Sequence, residues 1–193
     1  MAKVRFKGPI GGFSGTVDGM VFADNGERTV VYVRKPRKGE KSEAEQRRDD
    51  RMAEARAYAT SVKTSNPELW ALYKQVGKPK KISPQAIAIG DFMNVPFFKP
   101  LDLTNYKGQV GDPIKIHCKD DIGLVSVEVS IDRQDGSGVE KGMAAALDAR
   151  EGFWIYRATQ PVPNGADIFI ELVGLDHAGH RIKMTENPTV GQG

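Results

Sequence analysis

The stretch Gly111–Ile131, GDPIKIHCKDDIGLVSVEVSI, decides the fold of the second half of the chain. Ile114, Ile116 and Cys118 alternate with Lys115, His117 and Lys119. Asp120-Asp121-Ile122-Gly123 interrupts the pattern, and Val125, Val127, Val129 and Ile131 resume it. An apolar period of two predicts half-buried strands, and the polar break predicts the turn between them. The same period recurs in Leu101–Tyr106, Val139–Met143, Phe153–Ala158, Ile168–Val173 and Arg181–Met184. With Ile114–Cys118 and Val125–Ile131 these are the strands expected of an antiparallel sandwich, with Trp154 and Tyr156 filling the space between its sheets. Cys118, the single cysteine, points inward in this register and is read as a small hydrophobe.

Upstream the period changes to that of helices. Ser42-Glu43-Ala44-Glu45 has the form of a capping box and opens a helix to about Lys63, whose apolar side is Met52, Ala55, Ala59 and Val62. Ser65-Asn66-Pro67-Glu68 starts a second helix expected to stop at Gly77, with Leu69, Trp70, Leu72, Tyr73 and Val76 as its apolar face. The two are expected to fold back on one another. Ser83-Pro84 begins a short third helix, Gln85 to about Met93, with Ile87, Ile89 and Phe92 apolar. Pro96-Phe97-Phe98-Lys99-Pro100 reads as a linker, so the expected domains are 1–96 and 97–193.

Further upstream, Gly8–Arg34 is rich in glycine and ends in two β-rich runs, Met20–Ala23 and Thr29–Arg34, joined through Asp24-Asn25-Gly26. Asn-Gly between such runs predicts a hairpin. Lys3–Phe6 reads as a short edge strand, and Gly11–Gly15 as a tight turn or a close backbone approach. The glycines do not form a phosphate loop, because no Lys-Ser/Thr pair follows and no helix opens there. The expected fold class is therefore α+β: an N-terminal hairpin and a helical hairpin, followed by an antiparallel sandwich.

Of the 193 residues, 39% are hydrophobic and 27% charged, as in globular proteins. No apolar run is long enough for a membrane helix, and the N-terminus lacks the apolar core of a secretion signal. Charge is divided unevenly: residues 1–100 hold 19 Lys+Arg against 11 Asp+Glu, and residues 101–193 hold 9 against 14. A basic half tied to an acidic half suits nucleic-acid binding by the first, head-to-tail stacking of copies of the chain, or simply two solvated surfaces with no partner. Arg34, Lys35, Arg37, Lys38, Arg47 and Arg48 are the side chains available for phosphates or an acidic partner. The first four lie in a short connector without aromatic residues for base stacking, so nucleic acid is not the favoured partner.

The segment Gly111–Ile131 together with Leu172–Ile182, LVGLDHAGHRI, resembles bacterial immunoglobulin-like modules, in which a DD-x-G turn leads into an alternating strand and a D-x-A-G-x hairpin joins the last two. That resemblance implies an Ig-like sandwich and is nearly silent on function. The first half is similar to small proteins encoded in phage and prophage genomes. Its matching pattern is the glycine-rich hairpin Gly11–Phe22, the strand arginine Arg34, Pro36, the helix start Ala44–Arg48 and Trp70–Tyr73; it departs where an Asn-Pro would precede the helix cap. This implies a particle-associated structural role, in a virion or phage-like particle made in the bacterial cytoplasm.

No nucleophile–base pair, carboxylate pair or cofactor fingerprint emerges, so no enzyme, cofactor or small-molecule substrate is expected. His177-Ala178-Gly179-His180 with Asp176 reads as a solvent-exposed turn rather than a metal set. The expected function is structural. Phe13, Val17, Val21, Phe22, Val31 and Val33 form the assembly interface, and the partners are copies of the chain or other particle proteins. A non-viral filament subunit and a nucleic-acid-binding protein are the alternatives.

Overall fold

A computed structural model describes residues 5–6, 13–24, 29–33 and 39–191. The chain forms two compact units, Met1–Glu45 and Gln46–Gly193. Among the described residues there are three helices and three antiparallel sheets, a mixed α+β fold. No helix among them is long and apolar enough to cross a membrane.

The first unit holds one sheet in the order β1-β2-β3-β4: β1 Arg5–Phe6, β2 Phe13–Val17, β3 Met20–Asp24 and β4 Thr29–Val33. β3 and β4 pair antiparallel as the hairpin reading expects, from Met20↔Val33 to Asp24↔Thr29; Asn25 and Gly26 lie outside the described residues. Of the stretch Gly11–Gly15, read as a tight turn or a close backbone approach, Phe13–Gly15 lie in strand β2, and Gly11 and Gly12 lie outside the described residues. The turn into β3 falls later. Asp18 and Gly19, at φ 47° and 80°, join β2 to β3 with the two positive φ values of a type I′ hairpin.

The helix α1, Glu43–Ser65, begins on the expected capping box. The Ser42 backbone N–H donates to Glu45 Oε2 at 2.9 Å, and the Glu45 N–H donates to Ser42 Oγ at 3.3 Å. Its buried stripe is Ala55, Ala59 and Val62. α2 spans Pro67–Lys80, capped by Asn66, whose side chain accepts from the Leu69 N–H. It passes the expected stop at Gly77 by most of a turn. Gly77 is a packing residue, since a Cβ there would collide with the Ile82 backbone carbonyl. Pro79 is tolerated in the final turn, and Lys81 closes the helix in the left-handed region at φ 54°. α3, Pro84–Met93, is capped by Ser83 and buries Ala88 and Asp91, leaving the expected apolar residues Ile87, Ile89 and Phe92 half-buried.

The remaining strands are β5 Phe97–Phe98, β6 Pro113–Lys119, β7 Leu124–Arg133, β8 Gly138–Met143, β9 Ala145–Asp148, β10 Phe153–Arg157, β11 Ile168–Asp176 and β12 Arg181–Glu186. They form two antiparallel four-stranded sheets, β5-β6-β10-β9 and β12-β11-β7-β8. One core joins the inward residues of both: Ile114, Ile116, Cys118, Trp154 and Tyr156 from the first, Val127, Val129, Ile131, Ile168, Ile170 and Leu172 from the second. This arrangement is consistent with a β-sandwich. Leu101–Tyr106 is not a strand; Asp102 makes one isolated bridge to Lys115, and its carboxylate turns the chain by accepting from the Thr104 N–H.

The composition break at Pro96–Pro100 does not separate compact units. Phe97 and Phe98 pair with Lys119 and Cys118, and Phe98 packs against the sheet core. The helices belong to the same unit as these two sheets, with Ile122 of the β6–β7 turn packed in their core beside Ala59, Tyr73 and Ala88.

Candidate functional site

Register assigns the faces of the N-terminal sheet. Cross-strand partners share a face, so the pairs Val17↔Met20, Met20↔Val33 and Phe22↔Val31 bring Val17, Phe22, Val31 and Val33 together on one side. Met20 completes that group and is absent from the sequence-derived set. Val21 pairs with Tyr32 and falls on the opposite face. Phe13 lies in β2, but its side chain is outside the described residues. Val17, Val21 and Phe22 are half-buried, whereas Met20, Val31, Tyr32 and Val33 are 40%, 51%, 51% and 66% exposed.

Three consecutive exposed apolar residues on an end strand are unusual for a finished surface. β4 occupies one end of the sheet order, and its sequence, TVVYV, carries no charge. Natural edge strands are commonly guarded by lysine, proline or a bulge against pairing with another chain. Thr29–Val33 has none of these guards.

Of the basic residues named from sequence, Arg34, Lys35, Arg37 and Lys38 lie outside the described residues, and Arg47 and Arg48 are exposed on the early turns of α1. Elsewhere, Lys80, Lys99, Lys119 and Arg150 line a cleft of about 490 Å³ together with Asp120, Asp121 and Glu151. Its opposite charges nearly cancel, and it offers no concentrated field for a polyanion.

A second constellation is buried, and sequence reading misses most of it. Tyr73 of α2 is fully buried and donates to Asp91 Oδ2 of α3 at 2.5 Å. The Tyr73 and Tyr58 hydroxyls lie 2.8 Å apart, and Tyr58 of α1 donates to the His177 carbonyl of the β11–β12 turn at 3.1 Å. Each phenol carries one proton, so with Tyr73 donating to Asp91 and Tyr58 to His177 the Tyr58–Tyr73 approach holds no proton. A continuous chain through all three helices to the end of a sheet forms when Asp91 is protonated and donates to Tyr73, which then donates to Tyr58. Asp91 Oδ1 is buried with no hydrogen-bond partner. Burial, with the neighbouring charges of Asp120 and Asp176, pushes the Asp91 carboxyl up to about 7, against the Tyr73 bond and His180, which favour its ionised form.

The β11–β12 turn is not the exposed turn expected from sequence. Asp176 is buried; its Oδ1 accepts from the His180 N–H and its Oδ2 lies against His180 Nδ1, both at 2.6 Å. The His180 and Phe92 rings are 6.2 Å apart, and Phe92 is 5.2 Å from Tyr58. Burial lowers the His177 pKa, opposed by Asp120 and Asp176. Among the described residues no group of three His, Cys, Asp or Glu side chains could hold a metal ion. The available signal for this cluster is the acid inside the apolar run Ile87–Phe92, three residues after Ala88 on the same helical face.

No protein-family model matches the sequence, and no curated protein matches it. Part of the chain is similar to the crystal structure of CopC from Methylosinus trichosporium OB3b, at 15% identity and a TM-score of 0.39, covering 49% of this chain and 92% of that one. A likeness at that score carries no functional argument.

Proposed function

We propose that the chain is a non-enzymatic structural subunit that assembles through its N-terminal sheet, with β4 adding to a strand of a neighbouring subunit. The observation that carries this reading is the uncharged end strand Thr29–Val33, with Val31, Tyr32 and Val33 all more than half exposed. Strand addition would satisfy its outer backbone groups and bury apolar surface on both faces at once. The particle is of phage or phage-like type, a reading that rests on the sequence pattern of Gly11–Phe22 and Trp70–Tyr73. The two sheets of the second unit then form an immunoglobulin-like sandwich carried by the assembled subunits. Their antiparallel order and shared core around Trp154 support that assignment.

The test is the solution mass of the full chain beside a Val31→Lys/Val33→Lys double variant, which places two like charges on the apolar face. The wild-type chain should form ordered oligomers and the variant should dissociate. A monomeric wild-type chain, or a variant of unchanged mass, overturns the reading.

A further inference from the structure

The hydrogen-bonded chain from Asp91 to the His177 carbonyl has one feature that neither packing nor assembly requires. An acid is placed at its innermost end with one oxygen bare. A buried carboxylate normally recruits several donors, because its ionised form has four lone-pair sites and is costly to desolvate. Asp91 recruits only the Tyr73 hydroxyl among the described residues. One nearby cation is engaged elsewhere: the Arg51 guanidinium of α1 donates to the Met93 carbonyl at 3.0 Å.

Titratable groups reach Asp91 from several elements. α2 brings Tyr73, and α1 brings Tyr58 through it. The β6–β7 turn brings Asp120, while β11 and its following turn bring Asp176 and His180. Two of these neighbours are carboxylates, and His180 is already engaged by Asp176. The surroundings therefore suit a neutral carboxylic acid and oppose a second buried anion.

From this geometry we infer that Asp91 is a proton-dependent latch, which in its neutral form holds the three helices to the β11–β12 end of the sheets and on ionising loosens them. The inference is independent of the assembly reading, since all of its groups lie in the second unit. Its sign follows from linkage. The folded-state value is raised from 3.8 to about 7. The folded state therefore binds the proton more tightly than the unfolded chain, and the latch's contribution is lost as pH rises through that window. Between the two values the folding equilibrium constant falls about tenfold per pH unit on account of Asp91 alone, on the order of a hundredfold between pH 4.5 and 7.5.

The experiment is urea unfolding of the full chain and of Asp91→Asn at those two pH values. Asparagine keeps the shape and the acceptor for Tyr73 but carries no titrating proton. The wild-type chain should lose on the order of a hundredfold in its folding constant relative to the variant on going from pH 4.5 to 7.5. An unchanged ratio overturns the latch. Amide exchange of the wild-type chain, corrected for intrinsic rates, keeps the proposal testable if the variant does not fold. Protection in α3 and the β11–β12 turn should fall from the lower to the higher pH by more than protection in β7. Equal changes across all three overturn it.

Discussion

Tyr73 and Asp91, from different helices and both buried, share a 2.5 Å hydrogen bond in which the phenol donates to the carboxylate. Phenylalanine at position 73 would leave both Asp91 oxygens without a donor and deprive the Tyr58 hydroxyl of one partner. Bonds to charged or partly charged groups are worth about 1.5–3 kcal/mol, and the unpaired acceptor adds desolvation cost. Tyr73→Phe should therefore lower the urea midpoint by the equivalent of about 2 kcal/mol. The loss should be larger at pH 8, where Asp91 is ionised, than at pH 5. An equal loss at both would mean that packing rather than the hydrogen bond carries the effect.

His177 should titrate in the opposite sense to Asp91. Burial lowers its pKa from 6.5, with Asp120 and Asp176 opposing. A histidine whose folded-state value lies below its unfolded value binds the proton less well when folded. Its contribution is present above the unfolded value and lost as pH falls below it. An NMR titration of the imidazole resonances should place the His177 midpoint below that of a histidine in the unfolded chain. A midpoint above 6.5 would show that the two carboxylates outweigh burial.

Gly152 tests the join between β6 and β10. Its φ is 79°, and a Cβ would collide with the Cys118 carbonyl. That backbone is held in place, because the Cys118 N–H donates to the Gly152 carbonyl at 2.9 Å. Left-handed strain and a backbone collision together predict that Gly152→Ala costs about 3 kcal/mol or more. Gly136, also at positive φ (81°), has nothing within 4 Å of the added carbon. Gly136→Ala should therefore cost only about 1 kcal/mol. Thermal unfolding of the two variants side by side separates collision from strain.

Legibility followed the strength of local signals. The alternation of Val127, Val129 and Ile131 fixes which face of β7 is inward, and all three are fully buried. The capping box at Ser42 and Glu45 is equally local and forms as expected. Failures came where tertiary context overrides a local cue. Gly77 looks like a helix stop but is required by the approach of Ile82. Phe13–Gly15 reads as part of a turn, yet it lies in β2, and Asp18-Gly19 supplies the turn into β3. β9 is a fully exposed end strand without alternation, so no period announces it. Asp91 is the largest miss. Hydrophobic patterning puts acids outside, and only the convergence of Tyr58 and Tyr73 from other helices makes its burial tolerable.

Cys118 offers a check on the sheet core that needs no substitution. It is 1% exposed, and burial pushes its thiol up to about 12, reinforced by Asp120 and Asp176 against a bond from the Phe97 backbone. Only the thiolate attacks a disulfide reagent, so two barriers act together at neutral pH: little thiolate forms, and none of it is reachable. Reaction must then await an opening, local or global, that uncovers Cys118; separation of the β5–β6 pair, where Phe98 opposes Cys118, is one such local opening. An aromatic disulfide reagent should leave the native chain unmodified over minutes and label the urea-unfolded chain at once. Where opening is fast relative to labelling, the native rate should rise with urea in proportion to the unfolded or locally opened fraction. Rapid labelling of the native chain at neutral pH would mean that this end of the sheet opens freely, contrary to the buried position of Cys118.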